Sequence, residues 1–271
     1  MVDTTDQADE AERVSESAAG TDIRAVSRVA QVLTLFSPSQ PQLSAAAVAV
    51  QLNMNRTTAY RYCMSLTAAR LLERSDNGEF TPGGVLLQLG AFAAGRRDIL
   101  SIAPRHMRAL SAETATTAVL SLWGTTGPVV SAVAEDTVRD VLVTVRVGTH
   151  LAMDTAQARV FYAYHPDQLY IERLLANLPI RERQQLSSTV TEVRRSGSAT
   201  AVNRRGIAII AAPIFDNSGL CATLALVSTR DVLSVDANST ELRALRQTAD
   251  ELTTELDGSR PVLEIHAGAG G

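Results

Sequence analysis

Between Ile23 and Phe36 the apolar positions Ile23, Val26, Val29, Ala30, Leu33 and Phe36 return every three or four residues. That spacing predicts an amphipathic helix, with Asp22 placed to cap it. Ser37-Pro38-Ser39-Gln40-Pro41 stops the pattern. Ser44 is placed to cap a second, Ala-rich helix running to Leu52, with Val48 and Leu52 inward. A tight turn through Asn53 leads to a third helix, capped by Asn55 and running to about Ala69. A short side-chain oxygen suits both positions, because it can bond the free N–H groups of a first helical turn. Ala59, Tyr62 or Cys63, and Leu66 form the inward face of this helix. Arg56, Thr57, Tyr60, Arg61 and Met64 are left on the outer one. Leu71–Arg74 reads as a strand, Ser75-Asp76-Asn77-Gly78 as a hairpin turn, and Glu79–Thr81 as the returning strand. Three short helices followed by a hairpin predict a winged helix-turn-helix.

Pro82-Gly83-Gly84 breaks the chain before a linker helix that runs to about Arg97. Val85, Leu86, Leu89 and Ala93 give it an apolar side too wide for a solvated connector, which makes Val85–Ala93 a candidate dimer seam. From Asp98 the pattern is mixed. Ile102-Ala103-Pro104 leads into a helix through Thr114. Strands are predicted at Ala118–Trp123, Val129–Glu135, Val141–Val147, Ile207–Phe215 and Cys221–Ser228, the last two joined at Asp216-Asn217-Ser218-Gly219. Helices are predicted at Thr155–Tyr164, Asp167–Ala176, Ile180–Arg195 and Ala237–Leu256. The expected divisions are a disordered acidic tail over 1–21, a winged helix-turn-helix over 22–82, a linker helix over 83–97, a second domain over 98–257 and a flexible tail over 258–271.

Composition sharpens this picture in one place. The 271-residue chain is 45% hydrophobic with a formal charge of −4, as expected of a globular protein. It has no apolar run long enough to span a membrane and no signal-peptide pattern, so a cytoplasmic location with no membrane partner is expected. The charge is uneven. Residues 1–22 hold Asp3, Asp6, Asp9, Glu10, Glu12, Glu16 and Asp22 against Arg13 alone, whereas Ile23–Arg74 holds Arg24, Arg28, Arg56, Arg61, Arg70 and Arg74 against Glu73. A basic module inside an acidic chain fits a DNA-binding domain. Every basic side chain of the Lys/Arg pair is Arg, which reads as genome composition. The two cysteines, Cys63 and Cys221, read as buried reduced thiols.

The chemistry of the third helix matches a major groove. Arg pairs with guanine edges, while Thr, Tyr and terminal N–H groups meet phosphates. The candidate DNA contacts are Arg56, Thr57, Thr58, Tyr60 and Arg61 with the cap Asn55. Arg24, Arg28 and Ser44 flank them, and Arg74 and Asn77 belong to the wing. The competing reading is an ordinary amphipathic surface helix. Enzyme readings have little to stand on. His106, His150, His165 and His266 are scattered without metal-ligand spacing, so no metal is expected. Gly83-Gly84 lacks the Lys-Ser/Thr of a phosphate loop. Ser196-Gly197-Ser198 lacks the flanks of a nucleophile elbow. Neither catalytic residues nor a cofactor are expected. The function classes weighed are a ligand-responsive transcription factor, a ligand-independent DNA-binding protein and a small-molecule enzyme fused to a helical module.

The order of elements, with several local motifs, resembles the IclR family of bacterial transcriptional regulators over about Ile23–Asp257. The motifs are Thr57-Thr58-Ala59-Tyr60-Arg61-Tyr62 with Leu66, Leu71-Leu72-Glu73-Arg74, Leu86-Leu87-Gln88-Leu89-Gly90, and Ala208–Asp216 followed by Gly219. The resemblance implies an α+β chain: an N-terminal winged helix-turn-helix, a linker helix, and a C-terminal GAF-like effector-binding domain with a curved antiparallel sheet. It also implies a dimer or tetramer and a small-molecule effector; a palindromic double-stranded DNA operator is expected because one winged helix reads too few base pairs, and a repressor's role is expected ahead of an activator's. Ligand contacts carried over by it fall on Leu142, Ala156, Gln157, Ile209, Leu226 and Ser228. Arg146, Met153, Asp154, Ala211 and Thr223 lie beside them in the pattern. The chain departs from the family at Arg70, where a Gly is usual. The small-residue segment appears as Met153-Asp154-Thr155-Ala156-Gln157-Ala158-Arg159-Val160. The acidic stretch after Gly197 is replaced by Ser198–Asn203. With that stretch lost and Arg146 nearby, the expected effector is a small organic acid, aromatic by preference, since Arg offers a carboxylate a bidentate partner.

Overall fold

The computed structural model describes residues 23–95, 98–125, 127–135, 143–176 and 179–259. The expected acidic tail, the cap at Asp22 and the last residues from 260 lie outside that range. The chain divides into two compact units, the first through Phe92 and the second from Ala93.

The first unit contains α1 (Arg24–Leu33), α2 (Ala45–Gln51), α3 (Arg56–Ala68), β1 (Leu72–Arg74), β2 (Phe80–Pro82) and the start of α4 (Gly84–Gly95). The predicted caps hold. Ser44 Oγ accepts from the Ala47 N–H at 3.2 Å, and Asn55 Oδ1 from the Thr57 N–H at 2.8 Å. Asn53 turns α2 into α3 with φ of 47°, a left-handed conformation that Asn tolerates. Val32, Leu43, Val48, Ala59, Cys63, Leu66, Leu72 and Phe80 close one core. Burial raises the Cys63 thiol above its ordinary range. Two expectations need correction. Ile23 and Val26 of the α1 stripe are exposed in this unit, and Val32 fills the core instead. Met64, placed on the outer face of α3, is half-buried against the same core, since a long flexible side chain can fold back over it.

The wing is joined to the next helix by backbone. Arg70 stands at φ of 57°, the left-handed position expected from the missing Gly, at a cost of roughly 1 kcal/mol. Its carbonyl accepts the Val85 N–H at 3.2 Å, and the Gly83 N–H bonds the Leu71 carbonyl at 2.8 Å. A Cβ on Gly83 would lie 2.5 Å from the Arg70 carbonyl oxygen, so only glycine passes. Glu73 Oε1 accepts the Gly84 N–H at 3.1 Å and caps the start of α4.

The second unit contains α5 (Asp98–Thr114), β3 (Thr117–Trp123), β4 (Pro128–Ala134), α6 (Ala156–Tyr164), α7 (Gln168–Ala176), α8 (Ile180–Ser196), β5 (Ala199–Val202), β6 (Ile207–Asp216), β7 (Gly219–Thr229) and α9 (Thr240–Glu255). Its sheet is antiparallel with order β4-β3-β7-β6-β5. On one face Leu120, Ile210, Leu224 and Leu226 pack with Met107 and Leu110 of α5 and Leu245 and Leu252 of α9. On the other, Ala211, Phe215 and Ala225 pack with Ala156, Val160, Ala163 and Tyr164 of α6. The outward side of α6, at Ala158 and Tyr162, meets Ile171 of α7 and half-buried Leu186 and Val190 of α8.

Three elements differ from the sequence reading. The α5 helix starts at Asp98 and carries Pro104 inside. The stripe Ile99, Ala103, Met107, Leu110 continues across the proline, and its burial outweighs the bond that Pro cannot make. Strand β5 was not expected, because its small residues carry little strand signal until β6 offers them an edge. The expected strand at Val141–Val147 is not one over Val143–Val147, the part that is described. There Val143 and Val145 pack on Val119 and Val130, and Thr117 Oγ1 donates to the Val143 carbonyl at 2.9 Å.

Replacing Gly83 with Ala should force the wing and α4 apart. The expected loss is ~1–3 kcal/mol, as for other overpacked sites. Thermal unfolding of the full chain checks it, and an unchanged melting temperature contradicts the close approach.

Candidate nucleic-acid interface and ligand face

Along α3 the buried positions are Ala59, Cys63 and Leu66. The rest of the helix is therefore turned outward by its 3.6-residue period. Arg56, Thr57, Thr58, Tyr60 and Arg61 are all exposed, on or just after the free N–H groups of the N-terminus. Arg74 reaches this helix from β1. Its guanidinium carbon lies 6.0 Å from the centroids of both the Tyr60 and the Phe80 rings. The wing thus holds a cation over the recognition helix, a contact worth ~0.5–1 kcal/mol at an exposed site.

The other DNA candidates are committed in different ways. Arg24 is exposed, and the Arg28 guanidinium donates to Gln31 at 2.8 Å. The Ser44 and Asn55 side chains are spent on caps. Asn77 builds the wing turn: its Oδ1 accepts from Ser75 Oγ at 2.6 Å and from the Glu79 N–H at 3.1 Å, and its Nδ2 donates to Glu79 at 3.0 Å. Of the two wing candidates, Arg74 is the one whose charge is turned to the α3 side, over the Tyr60 ring.

In the second unit the predicted ligand contacts divide by the pleat. Successive strand residues alternate faces. Ala211 and Ile209 of β6 and Thr223 of β7 share the α6 face, together with Ala156 and the buried Gln157 of α6. Leu226 packs on the α5/α9 face, and Ser228, two residues on, shares it. Both are corrected here: the β7 residues beside Thr223 on the α6 face are Ala225 and Val227. Met153 is half-buried, and its sulfur accepts the Tyr162 hydroxyl at 2.9 Å. Asp154 and Arg146 are exposed. Leu142 lies outside the described residues.

One polar group was missed. Ser121 of β3 stands directly opposite Thr223 of β7. Ser121 Oγ, Thr223 Oγ1 and Gln157 Oε1 are all buried without a hydrogen-bond partner. Phe161, one turn beyond Gln157, lies 5.2 Å from the Trp123 ring, and Trp123 is two residues beyond Ser121 on the same face. The three orphaned oxygens therefore belong to the layer between α6 and the sheet. The sequence signal was present but weak: a lone Ser between Leu120 and Leu122 looks like an exposed alternation until both faces are covered. On the outward side of α6 the Tyr162 hydroxyl has its pKa raised by burial and then by Asp154 and Tyr170. Among the described residues one cavity borders β5, another lies among α6, α7 and α8, and two more lie beside His106 and α9 and at the start of α5.

An exposed basic helix beside a wing, joined by a helix to an antiparallel sheet with a polar inner layer, defines a DNA-binding regulator with a second, ligand-binding domain. The chain belongs to the IclR family. The family's helix-turn-helix domain matches residues 25–76, and the bacterial transcriptional regulator IclR C-terminal domain matches residues 91–254. It is a DNA-binding transcription regulator with an effector-binding C-terminal domain, and the family is not enzymatic. Among curated proteins none matches the chain.

Solved structures share its fold. An IclR transcriptional regulator of Silicibacter sp. TM1040 is 24% identical with a TM-score of 0.78, over 88% of this chain and 98% of that one. One from Alicyclobacillus acidocaldarius is 24% identical with a TM-score of 0.69, over 88% of this chain and 100% of that one. An IclR homologue of Microbacterium hydrocarbonoxydans, complexed with 4-hydroxybenzoate, is 20% identical with a TM-score of 0.67, over 87% and 100%. No described helix is long and apolar enough to cross a membrane.

The orphaned hydroxyl of Thr223 generates a prediction. Replacing Thr223 with Val keeps its shape and removes an unsatisfied buried group, so the ligand-free chain should gain about 1 kcal/mol. Denaturant unfolding measures it, and a loss of stability would show that the hydroxyl is already satisfied.

Proposed function

We propose that this protein is a cytoplasmic repressor that binds a palindromic operator as a dimer or tetramer and responds to a small organic acid. The boundaries proposed for its parts are 22–82 for the DNA-binding domain, 83–97 for the linker helix and 98–257 for the effector domain. DNA reading falls to Arg56, Thr57, Thr58, Tyr60 and Arg61, with Arg74 over Tyr60. Arg24, Arg28, Ser44, Asn55 and Asn77 are assigned to backbone contact and support. The exposure of this face on a capped helix N-terminus carries that reading. Arg61→Ala is expected to cost ~1–3 kcal/mol, concentrated at one base position; a loss equal on all sequences marks a phosphate contact instead. Unchanged operator affinity in a folded R56A/R61A variant overturns the assignment.

One winged helix reads too few base pairs for a unique address, so two copies are needed. The proposed seam is the apolar side of Val85–Ala93 in α4, where Leu89 and Phe92, about one turn apart, are 57% and 63% exposed in the single chain. Light scattering on the free protein should give a dimer or larger. A stable monomer at micromolar concentration contradicts the seam.

The effector is proposed to bind the α6 face of the sheet. The observation that carries this is the set of three buried, unpartnered oxygens on Ser121, Gln157 and Thr223, since buried polar groups are normally paired. Ala156, Ile209 and Ala211 supply the apolar wall. Met153, Asp154 and Arg146 lie on the segment leading into α6, and Arg146 is the proposed partner of the carboxylate. The 4-hydroxybenzoate bound by the Microbacterium hydrocarbonoxydans homologue supports an aromatic hydroxy acid: one end is anionic, the other can hydrogen-bond to hydroxyls. Binding is proposed to bias the spacing of paired winged helices through α4. Calorimetric titration of the full chain with 4-hydroxybenzoate and related acids should show saturable binding that Gln157→Leu or Arg146→Ala weakens at least about tenfold, the equivalent of one lost charged or buried hydrogen bond. Binding untouched by both substitutions removes this site.

A further inference from the structure

A second cavity of about 380 Å³ lies at the β5 edge, away from the three orphaned oxygens. It is bordered by Arg159 of α6, Arg246 of α9, Ser196 and Ser198 at the end of α8, and Thr189 and Glu192 within α8. Its two arginines are held by one arm each. Arg159 Nη1 donates to the Thr200 carbonyl at 2.8 Å, and Arg246 Nη2 donates to Ser198 Oγ at 2.7 Å. The Nε of each is buried and without a partner. Ser198 is itself fixed, since Ser196 Oγ donates to its carbonyl at 2.9 Å.

The cationic charge here lacks a matching carboxylate. Among the described residues neither guanidinium has a carboxylate oxygen within 4.0 Å. Burial depresses the Arg159 pKa, and Asp154 only partly offsets it through space. Glu192 borders the cavity but is taken by Arg195, with contacts of 2.7 and 3.0 Å. Two half-buried guanidiniums that border one cavity, neither with a carboxylate against it, suit an anion, because an unpaired buried charge is costly and a planar fork fits oxyanions.

We propose that this cavity is an oxyanion site that takes a small phosphate monoester, held between Arg159 and Arg246. Ser198 Oγ, which accepts from Arg246, keeps its own hydrogen to donate to a third oxygen. The volume, at the low end for small-molecule sites, admits a phosphate with an organic group of a few carbons. The site is independent of the acid site on the α6 face.

The test is titration of the full chain at constant ionic strength, first with inorganic phosphate, then with glycerol 3-phosphate and succinate. Saturable phosphate binding with a raised melting temperature is expected. Arg246→Gln, checked for folding by circular dichroism, should weaken binding at least about tenfold, the loss of a charged hydrogen bond. Arg159→Gln should do the same, and Arg246→Gln suffices where that variant fails to fold. Thr223→Val and R56A/R61A should leave the response intact, which separates it from the acid site and from the DNA face. Glycerol 3-phosphate should bind more tightly than succinate. Absence of saturable phosphate binding, binding unchanged in folded Arg246→Gln, or a preference for succinate each overturns the proposal.

Discussion

The structure depends on a sheet covered on both faces. Along β6 and β7, Ala208, Ile210, Ala212 and Ile214 turn to one helical layer, and Ala211, Phe215 and Ala225 to the other. Neither face meets water, so each polar side chain on these strands must find a partner inside or cost free energy. That rule gives Ser121 and Thr223 their significance. On a half-solvated sheet they would be unremarkable surface hydroxyls. Here they are sealed beneath α6 with nothing to bond, in a layer that the chain would otherwise fill with aliphatic groups.

Helix α6 is where the domain's possible ligands meet. Its alanines let it lie close to the sheet, and α7 and α8 cover its other side, so that eight of its nine residues are buried. Gln157 points from its first turn into the polar inner layer, while Arg159, two positions on, reaches the carbonyl of Thr200 on the edge strand.

The DNA-binding unit works through a different constraint, the economy of its turns. Asn53, Asn55, Ser44 and Asn77 are used up in shaping backbone, so the exposed side chains left on this face of α3 and the wing include Arg56, Tyr60, Arg61 and Arg74. The Arg70–Gly83 approach then passes the wing's position directly to the start of α4. Strain at a non-glycine left-handed residue is retained there because the carbonyl of Arg70 serves the following helix.

By itself the sequence determined the elements whose signals are local. The caps at Ser44 and Asn55, the hairpin at Asn77-Gly78 and the inward face of α3 could all be read within a few residues, since each depends on one turn of backbone. The order of elements was enough to indicate the family. Tertiary structure alone decided the rest. Pro104 could sit inside α5 because distant strands bury that helix, and β5 exists because β6 offers an edge. The side of β7 that bears Leu226 and Ser228 could not be read along the chain. A strand apolar on both faces loses the alternation that marks its inside, and a one-residue error in register exchanges the two faces. The pairing of Ser121 with Thr223, and of Arg159 with Arg246 around one cavity, joins residues far apart in the chain, and only packing brings them together.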